Sequence, residues 1–274
     1  MKKGCMYGLI LILILGTFSI FILVDETTAD DKVIRIMPLG DSITRGRWGS
    51  TWRLYLRRSL TNKAKVKVDF VGSCPHAPNF GELWSDHYRA LKEALDGDIE
   101  HEGWGALRIG DITRFVIKEQ SPDRQKRFID GKYRDFTIEE LLSRNPADII
   151  LLMIGTNDFF GDYEILSAPE RLNILINKIA QNSKAYLFVS SIPPIYGKAE
   201  QKFDEKVRAY NTRVSDIIRS FQSRGFKIGY VDMFGHLDRE DMLSDGLHPN
   251  IWGDQKIGHL WYTAIYPYVK GLTK

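Results

Sequence analysis

The sequence predicts an α/β fold in which a central parallel sheet of about five strands carries helices on both faces. Three observations predict it. Five short apolar runs rich in β-branched residues read as buried strands, and amphipathic helical patterns alternate with them. Two of the runs also end directly in short glycine-bearing polar segments, at the carboxyl edge where open α/β sheets place their ligands.

The elements follow in chain order. Val33 to Leu39 is the first strand, and Trp52 to Leu60 has apolar residues at three- and four-residue intervals, the signature of a helix. Val66 to Val71 is the second strand. Ser73 to His101 then breaks the alternation, as does Glu119 to Asp135; both are long and irregular and are read as rim insertions. The first carries Pro75, His76, Pro78, Trp84, His87 and Tyr88. Asp148 to Ile154 is the third strand, Pro169 to Gln181 a helix, Ala185 to Ile192 the fourth strand and Phe203 to Arg224 a helix. Lys227 to Val231 and the helix Ile251 to Tyr268 close the chain. Right-handed crossovers between such units lead to a flavodoxin-like strand order in three layers.

The 274 residues suit a leader, residues 1–29, followed by one domain, residues 30–274. Lys2 and Lys3 precede an almost wholly apolar run, residues 6–24, and Thr27-Thr28-Ala29 supplies small residues suited to signal cleavage. Export to the extracellular side is therefore expected. An uncleaved leader would instead tether the domain to a membrane through residues 6–24. Cleavage after Ala29 removes two lysines and two acids, so the formal charge stays at +3. Such weak basicity argues against a nucleic-acid partner. Cys74 would then be the only cysteine, which excludes an internal disulfide and a thiolate metal site. The remaining histidines lack paired metal-ligand spacing, Arg108 stands where a dinucleotide fingerprint needs its third glycine, and Thr44 replaces the final glycine of a Gly-x-Ser-x-Gly elbow.

The chemistry-bearing residues lie in four segments. Gly40-Asp41-Ser42 offers a hydroxyl after the first strand. A serine hydroxyl is a poor nucleophile at neutral pH and needs a base oriented by a third group. Asp245 and His248 supply both, because Gly246 lets the carboxylate fold back onto Nδ1 while Nε2 points toward Ser42. An oxyanion formed by attack on an ester needs preorganised donors, each worth about 3 to 4 kcal/mol. The Ser42 amide, the Asn157 side chain and a backbone amide of Gly103-Trp104-Gly105-Ala106 are the candidates, with Gly105 ahead of Ala106 in that turn. Asp41 and Asp158 read as residues that bond loop amides or cap helices. Trp52 and Tyr55 read as core, while Trp48 is open between core and sugar stacking.

Gly-Asp-Ser, a glycine turn, Gly155-Thr156-Asn157-Asp158 and Asp245-Gly246-Leu247-His248 resemble, in order and spacing, the four blocks of the SGNH, or GDSL, hydrolases. Ile36 to Thr44, Val68 to Ser73 and His101-Glu102-Gly103 are similar to the branch that holds secreted carbohydrate acetyl esterases, acetylxylan esterases among them. The resemblance implies an SGNH hydrolase fold, Ser42 as nucleophile, His248 as base, Asp245 as its partner, and Ser42, Gly105 and Asn157 as oxyanion donors. It implies no cofactor and no metal, and an acylated carbohydrate or other small ester as substrate. One departure stands out: in that branch the second-block glycine would fall at Ala106. Alanine keeps a backbone donor there on condition that φ is negative. Two other readings stay open, a lipid-directed esterase, lysophospholipase or thioesterase on the same machinery, and a non-catalytic carbohydrate-binding surface protein.

Overall fold

The computed structural model describes residues 32–46, 50–74, 93–114, 127–129, 132–134, 137–196 and 200–272, together with the residue pairs 14–15 and 18–19. Most of the leader, most of both insertions, Trp48, His76 and His87 lie outside the described residues. Among the described residues no helix is long and apolar enough to cross a membrane.

All five expected strands form. They are β1 (Ile34–Gly40), β2 (Val68–Phe70), β4 (Ile149–Met153), β5 (Tyr186–Ser190) and β6 (Ile228–Val231). The order across the sheet is β6-β5-β4-β1-β2, every pairing parallel, which is the flavodoxin-like order. A sixth strand, β3 (Glu102–Gly103), pairs with the last two residues of β1, Leu39 opposite Glu102 and Gly40 opposite Gly103. Two residues are too few to show a period of two, so β3 left no pattern in the sequence. It takes over the edge of β1 where β2 stops at Ile36, and so carries the 101–107 segment to the end of β1, next to Ser42.

Alternation along the strands builds two cores. Met37, Leu39, Ile150, Leu152, Leu187 and Val189 feed one cluster, while Ile34, Ile36, Ile149, Leu151, Met153 and Phe188 feed the other. Each such side chain stabilises the fold by about 1.5–3 kcal/mol on full burial. Helices α4 (Ile138–Arg144), α6 (Ala168–Asn182) and α7 (Glu200–Ser223) cover the first face. Leu172, Leu175, Ile176 and Ile179 of α6 show why, since three- and four-residue spacing puts them all on one side. Helices α2 (Trp52–Arg58) and α8 (Ile251–Leu272) cover the second face, with Ile257, Trp261, Ile265 and Val269 at strict four-residue intervals. Trp52 is fully buried, its ring 5.8 Å from that of Trp261, as expected of a core residue. Three short helices, α1 (Ser42–Arg45), α3 (Ile109–Arg114) and α5 (Thr156–Phe160), follow β1, β3 and β4 at the carboxyl edge.

Candidate active site

The corner after β1 is set by close approach. A Cβ on Gly40 would lie 2.1 Å from the Met153 carbonyl oxygen, so only glycine lets the ends of β1 and β4 meet there. Asp41 then caps α1: its Oδ1 accepts from the Ile43 amide at 2.9 Å. Burial pushes the Asp41 carboxyl up to about 7, the Ile43 amide opposing and the Asp158 charge adding to it. Ser42 opens the helix, and a first helical residue has no intrahelical partner for its N–H. The far end of α1 is held by Arg53, whose guanidinium is buried and donates to the carbonyls of Thr44 at 3.2 Å, Arg45 at 3.1 Å and Ile99 at 2.9 Å. Burial lowers the Arg53 pKa to about 10, so it stays a cation.

The loop before α8 brings His248. Gly246 has φ +67, and a Cβ on it would sit 2.0 Å from the Tyr196 carbonyl oxygen, so the tight loop requires glycine. Asp245 Oδ1 accepts the amides of Leu247 and His248, each at 3.0 Å, and Oδ2 lies 2.8 Å from His248 Nδ1. Burial disfavours the Asp245 carboxylate, but those amides and the His248 ring outweigh it and hold the carboxyl below its ordinary range. His248 Nε2 lies 2.8 Å from Ser42 Oγ. One hydrogen-bonded chain therefore runs from Asp245 through His248 to Ser42.

A third segment flanks the serine. Glu102, buried, accepts the Ser73 amide at 2.7 Å and the Trp104 indole N–H at 2.8 Å, which orients the turn from Trp104 to Leu107. Ala106 sits third in that turn with φ +57, so the condition of a negative φ is not met. Its left-handed backbone, the geometry that type II turns reserve for glycine, costs about 1 kcal/mol for alanine. Gly105 lies beneath the Arg45 guanidinium, with Nη1 2.9 Å from where a Cβ would be. Asn157 donates one N–H of its side chain to the Leu107 carbonyl at 3.0 Å, which ties α5 to the turn and leaves the amide its other N–H.

Asp158 fixes α5 from behind. It is fully buried, accepts the Ile109 amide at 3.0 Å and pairs with Arg171 at 2.8 Å. Burial raises its pKa, opposed by Arg171 and the Ile109 amide. Arg171 also donates to Ser167 Oγ and to the carbonyls of Glu164 and Tyr163. Removing one partner of such a buried pair costs about 3 to 5 kcal/mol. Arg171→Met is therefore expected to lower the thermal midpoint by about 6 to 20 °C for a chain of this size. Part of the loss should return in Arg171→Met with Asp158→Asn; an unchanged midpoint in the single variant would contradict the assignment.

Of the five residues expected at the site, Ser42, His248 and Asp245 are hydrogen-bonded to one another, and Asn157 is bonded to the turn that holds Gly105. Asp41 and Asp158 are the expected cap and loop-amide acceptor. Sequence reading missed Arg53, Arg171 and Glu102. Ile192 and Ile195, which follow β5, pack in the first core. His101 is buried, with Nδ1 accepting the Gly103 amide at 2.9 Å, while His236 and His259 are at the surface.

Residues 36–261 match the family model described as GDSL-like Lipase/Acylhydrolase. A multidomain esterase of Ruminococcus flavefaciens is 27% identical over 273 residues, covering 98% of this chain and 33% of that protein. The chain thus spans a third of the length of this relative. Among solved structures, a Clostridium thermocellum family 3 carbohydrate esterase superposes with a TM-score of 0.66 at 26% identity, covering 89% of this chain and 100% of that one. A carbohydrate esterase family 3 protein from Talaromyces cellulolyticus, at 23% identity and TM-score 0.63, covers 87% and 99% and shares the fold.

Proposed function

The chain belongs to the GDSL-like lipase/acylhydrolase family, and from that premise we propose that it is a serine esterase removing short acyl groups, acetyl above all, from oxygens of carbohydrate. The observation that carries this reading is the proton path from Ser42 Oγ to His248 Nε2 and from His248 Nδ1 to Asp245, each link 2.8 Å. Ser42 Oγ attacks the ester carbonyl and gives its proton to His248. The Ser42 amide, the Asn157 side chain and the Gly105 amide receive the oxyanion. The sugar oxygen leaves with the proton from His248. Water, deprotonated in turn by His248, then hydrolyses the acyl-Ser42 ester, releasing the acid and restoring the Ser42 hydroxyl. Asp245 holds the ring tautomer throughout. No step calls for a metal or an organic cofactor.

The similarity to a carbohydrate esterase of family 3 supports the carbohydrate half of the proposal. Initial rates on 4-nitrophenyl acetate, butyrate and octanoate test the acyl half. The acetyl ester is expected to have the highest kcat/KM, with a decline beyond butyrate; a preference for octanoate would make the protein a lipid-directed esterase. Acetate release from a panel of acetylated glycans tests the alcohol half. We also propose that residues 1–29 are an export leader and residues 30–274 a single extracellular domain. N-terminal sequencing of protein recovered from the culture medium checks for cleavage after Ala29, and retention in the membrane fraction would indicate a tether.

A further inference from the structure

Arg108 is a cation near the site to which the mechanism gives no role. Arg108 lies half-buried two residues beyond Ala106, its guanidinium carbon 4.1 Å from the centroid of the Tyr163 ring. Its amide donates to Asp111 Oδ2 at 2.9 Å, but among the described residues no ion pair joins its guanidinium to a carboxylate. Asp158 and Glu164 pair with Arg171 and Asp162 with Lys206, while Asp111 accepts the Arg108 amide.

The position of this cation matters. Arg108 Nη2 is 3.5 Å from where a Cβ on Gly161 would stand, and the Gly161 amide donates to the Asn157 carbonyl at 3.1 Å. Gly161 therefore stands one helical turn, about 5.4 Å along the axis, beyond Asn157, and the guanidinium lies against that turn. Phe160, three residues beyond Asn157 and so on the same side of α5, is 56% exposed. The Asn157 amide, an exposed aromatic ring and the Arg108 guanidinium are thus all carried by α5 and the segment bonded to it.

We infer that Arg108, held over the Tyr163 ring beside the α5 helix that carries the exposed Phe160, is a carboxylate subsite that selects acyl esters of acidic sugars, uronates, over their neutral counterparts. The inference rests on the esterase reading above and names its substrate class. A guanidinium presents a planar fork of N–H donors that a carboxylate fills with two parallel bonds. Stacking on Tyr163 restricts the side chain before the substrate arrives, which lowers the ordering cost of binding. A neutral sugar offers the half-desolvated fork no charge to pair with, and a site built for a polar partner discriminates strongly against a ligand that lacks it.

A matched pair of substrates, mono-O-acetylated galacturonate and mono-O-acetylated galactose, tests this, because the two differ at the carboxylate alone. Wild type is expected to favour the uronate by about tenfold or more in kcat/KM at low salt, mainly through KM, and less so in about 0.5 M salt. Arg108→Gln should bring the ratio to near one. Arg108→Lys, which keeps the charge without the fork, should retain part of it. A ratio near one in wild type, or a ratio that survives in a folded Arg108→Gln, overturns the subsite. Wild-type turnover of 4-nitrophenyl acetate, run in parallel, separates that result from failure of the esterase reading, under which this probe would also go unhydrolysed and the subsite would fall with it.

Discussion

Replacing Ser42 by Ala is expected to lower kcat by about 10,000- to 1,000,000-fold while leaving the protein folded. The change deletes one oxygen, and the groups that build the corner do not depend on it. Asp41 caps α1 through Ile43, Arg53 binds the carbonyls at its other end, and Gly40 sets the approach of β1 to β4. What goes is the proposed nucleophile and its 2.8 Å bond to His248. The oxyanion donors stay in place, so a residue of catalysis over water remains. Hydrolysis of 4-nitrophenyl acetate measures the loss, and a fluorophosphonate probe reports it covalently: wild type labels and the variant does not. A variant within tenfold of wild type, or a wild type that resists labelling, would dismiss Ser42 as nucleophile and leave the reading of a non-catalytic carbohydrate-binding protein.

Asp245→Asn is expected to cost about 10,000-fold in kcat, because an amide can offer His248 Nδ1 an N–H and so stabilise the wrong tautomer. Asp245 has a second task, since its Oδ1 accepts the amides of Leu247 and His248 that shape the loop. Asparagine retains a carbonyl oxygen for those amides, so the loop should persist and the loss should fall on kcat. A pH dependence follows as well. The folded pKa of Asp245 lies below its ordinary value, so the carboxylate contributes stability above the unfolded value of about 3.9. That contribution is lost as pH falls through the folded pKa. The Asn variant, having no such proton to take up, should show a shallower loss of stability on acidification. The effect is small because the Asp245 side chain is 36% exposed and solvent screens it. Thermal unfolding of both proteins between about pH 3 and 6 measures the difference; identical slopes would contradict it.

Much of the fold was legible because strands and helices advertise themselves through neighbours in sequence. The run Ile149 to Met153 is buried on both faces and reads as a continuous apolar stretch, and α8 repeats its core residues every four positions. The site was legible for a different reason. Gly40-Asp41-Ser42, Thr156-Asn157-Asp158 and Asp245-Gly246-Leu247-His248 each combine a local backbone requirement with a reactive group, and each stands next to a recognisable element. Arg53 and Arg171 were not legible. An arginine in a helix is ordinarily a surface residue, and only the packed structure shows these two buried, one holding carbonyls of α1 and the other neutralising Asp158. Ala106 was half legible: the sequence placed it in the turn, but φ is a property of the closed turn.

The sequence by itself determined the alternation of strands and helices, the parallel order of the sheet and the residue types able to carry acyl transfer. These depend on spacings of two, three and four residues, which propensity and burial enforce locally. The tertiary structure decided which of those groups meet. Ser42 and His248 are 206 positions apart, and Asp158 finds the Ile109 amide 49 positions away. A hydrogen bond or a buried ion pair operates over about 3 Å of space whatever the length of chain between its partners. Proton paths, charge compensation and the stacking of Arg108 on Tyr163 come into being when the sheet closes and brings its carboxyl ends together.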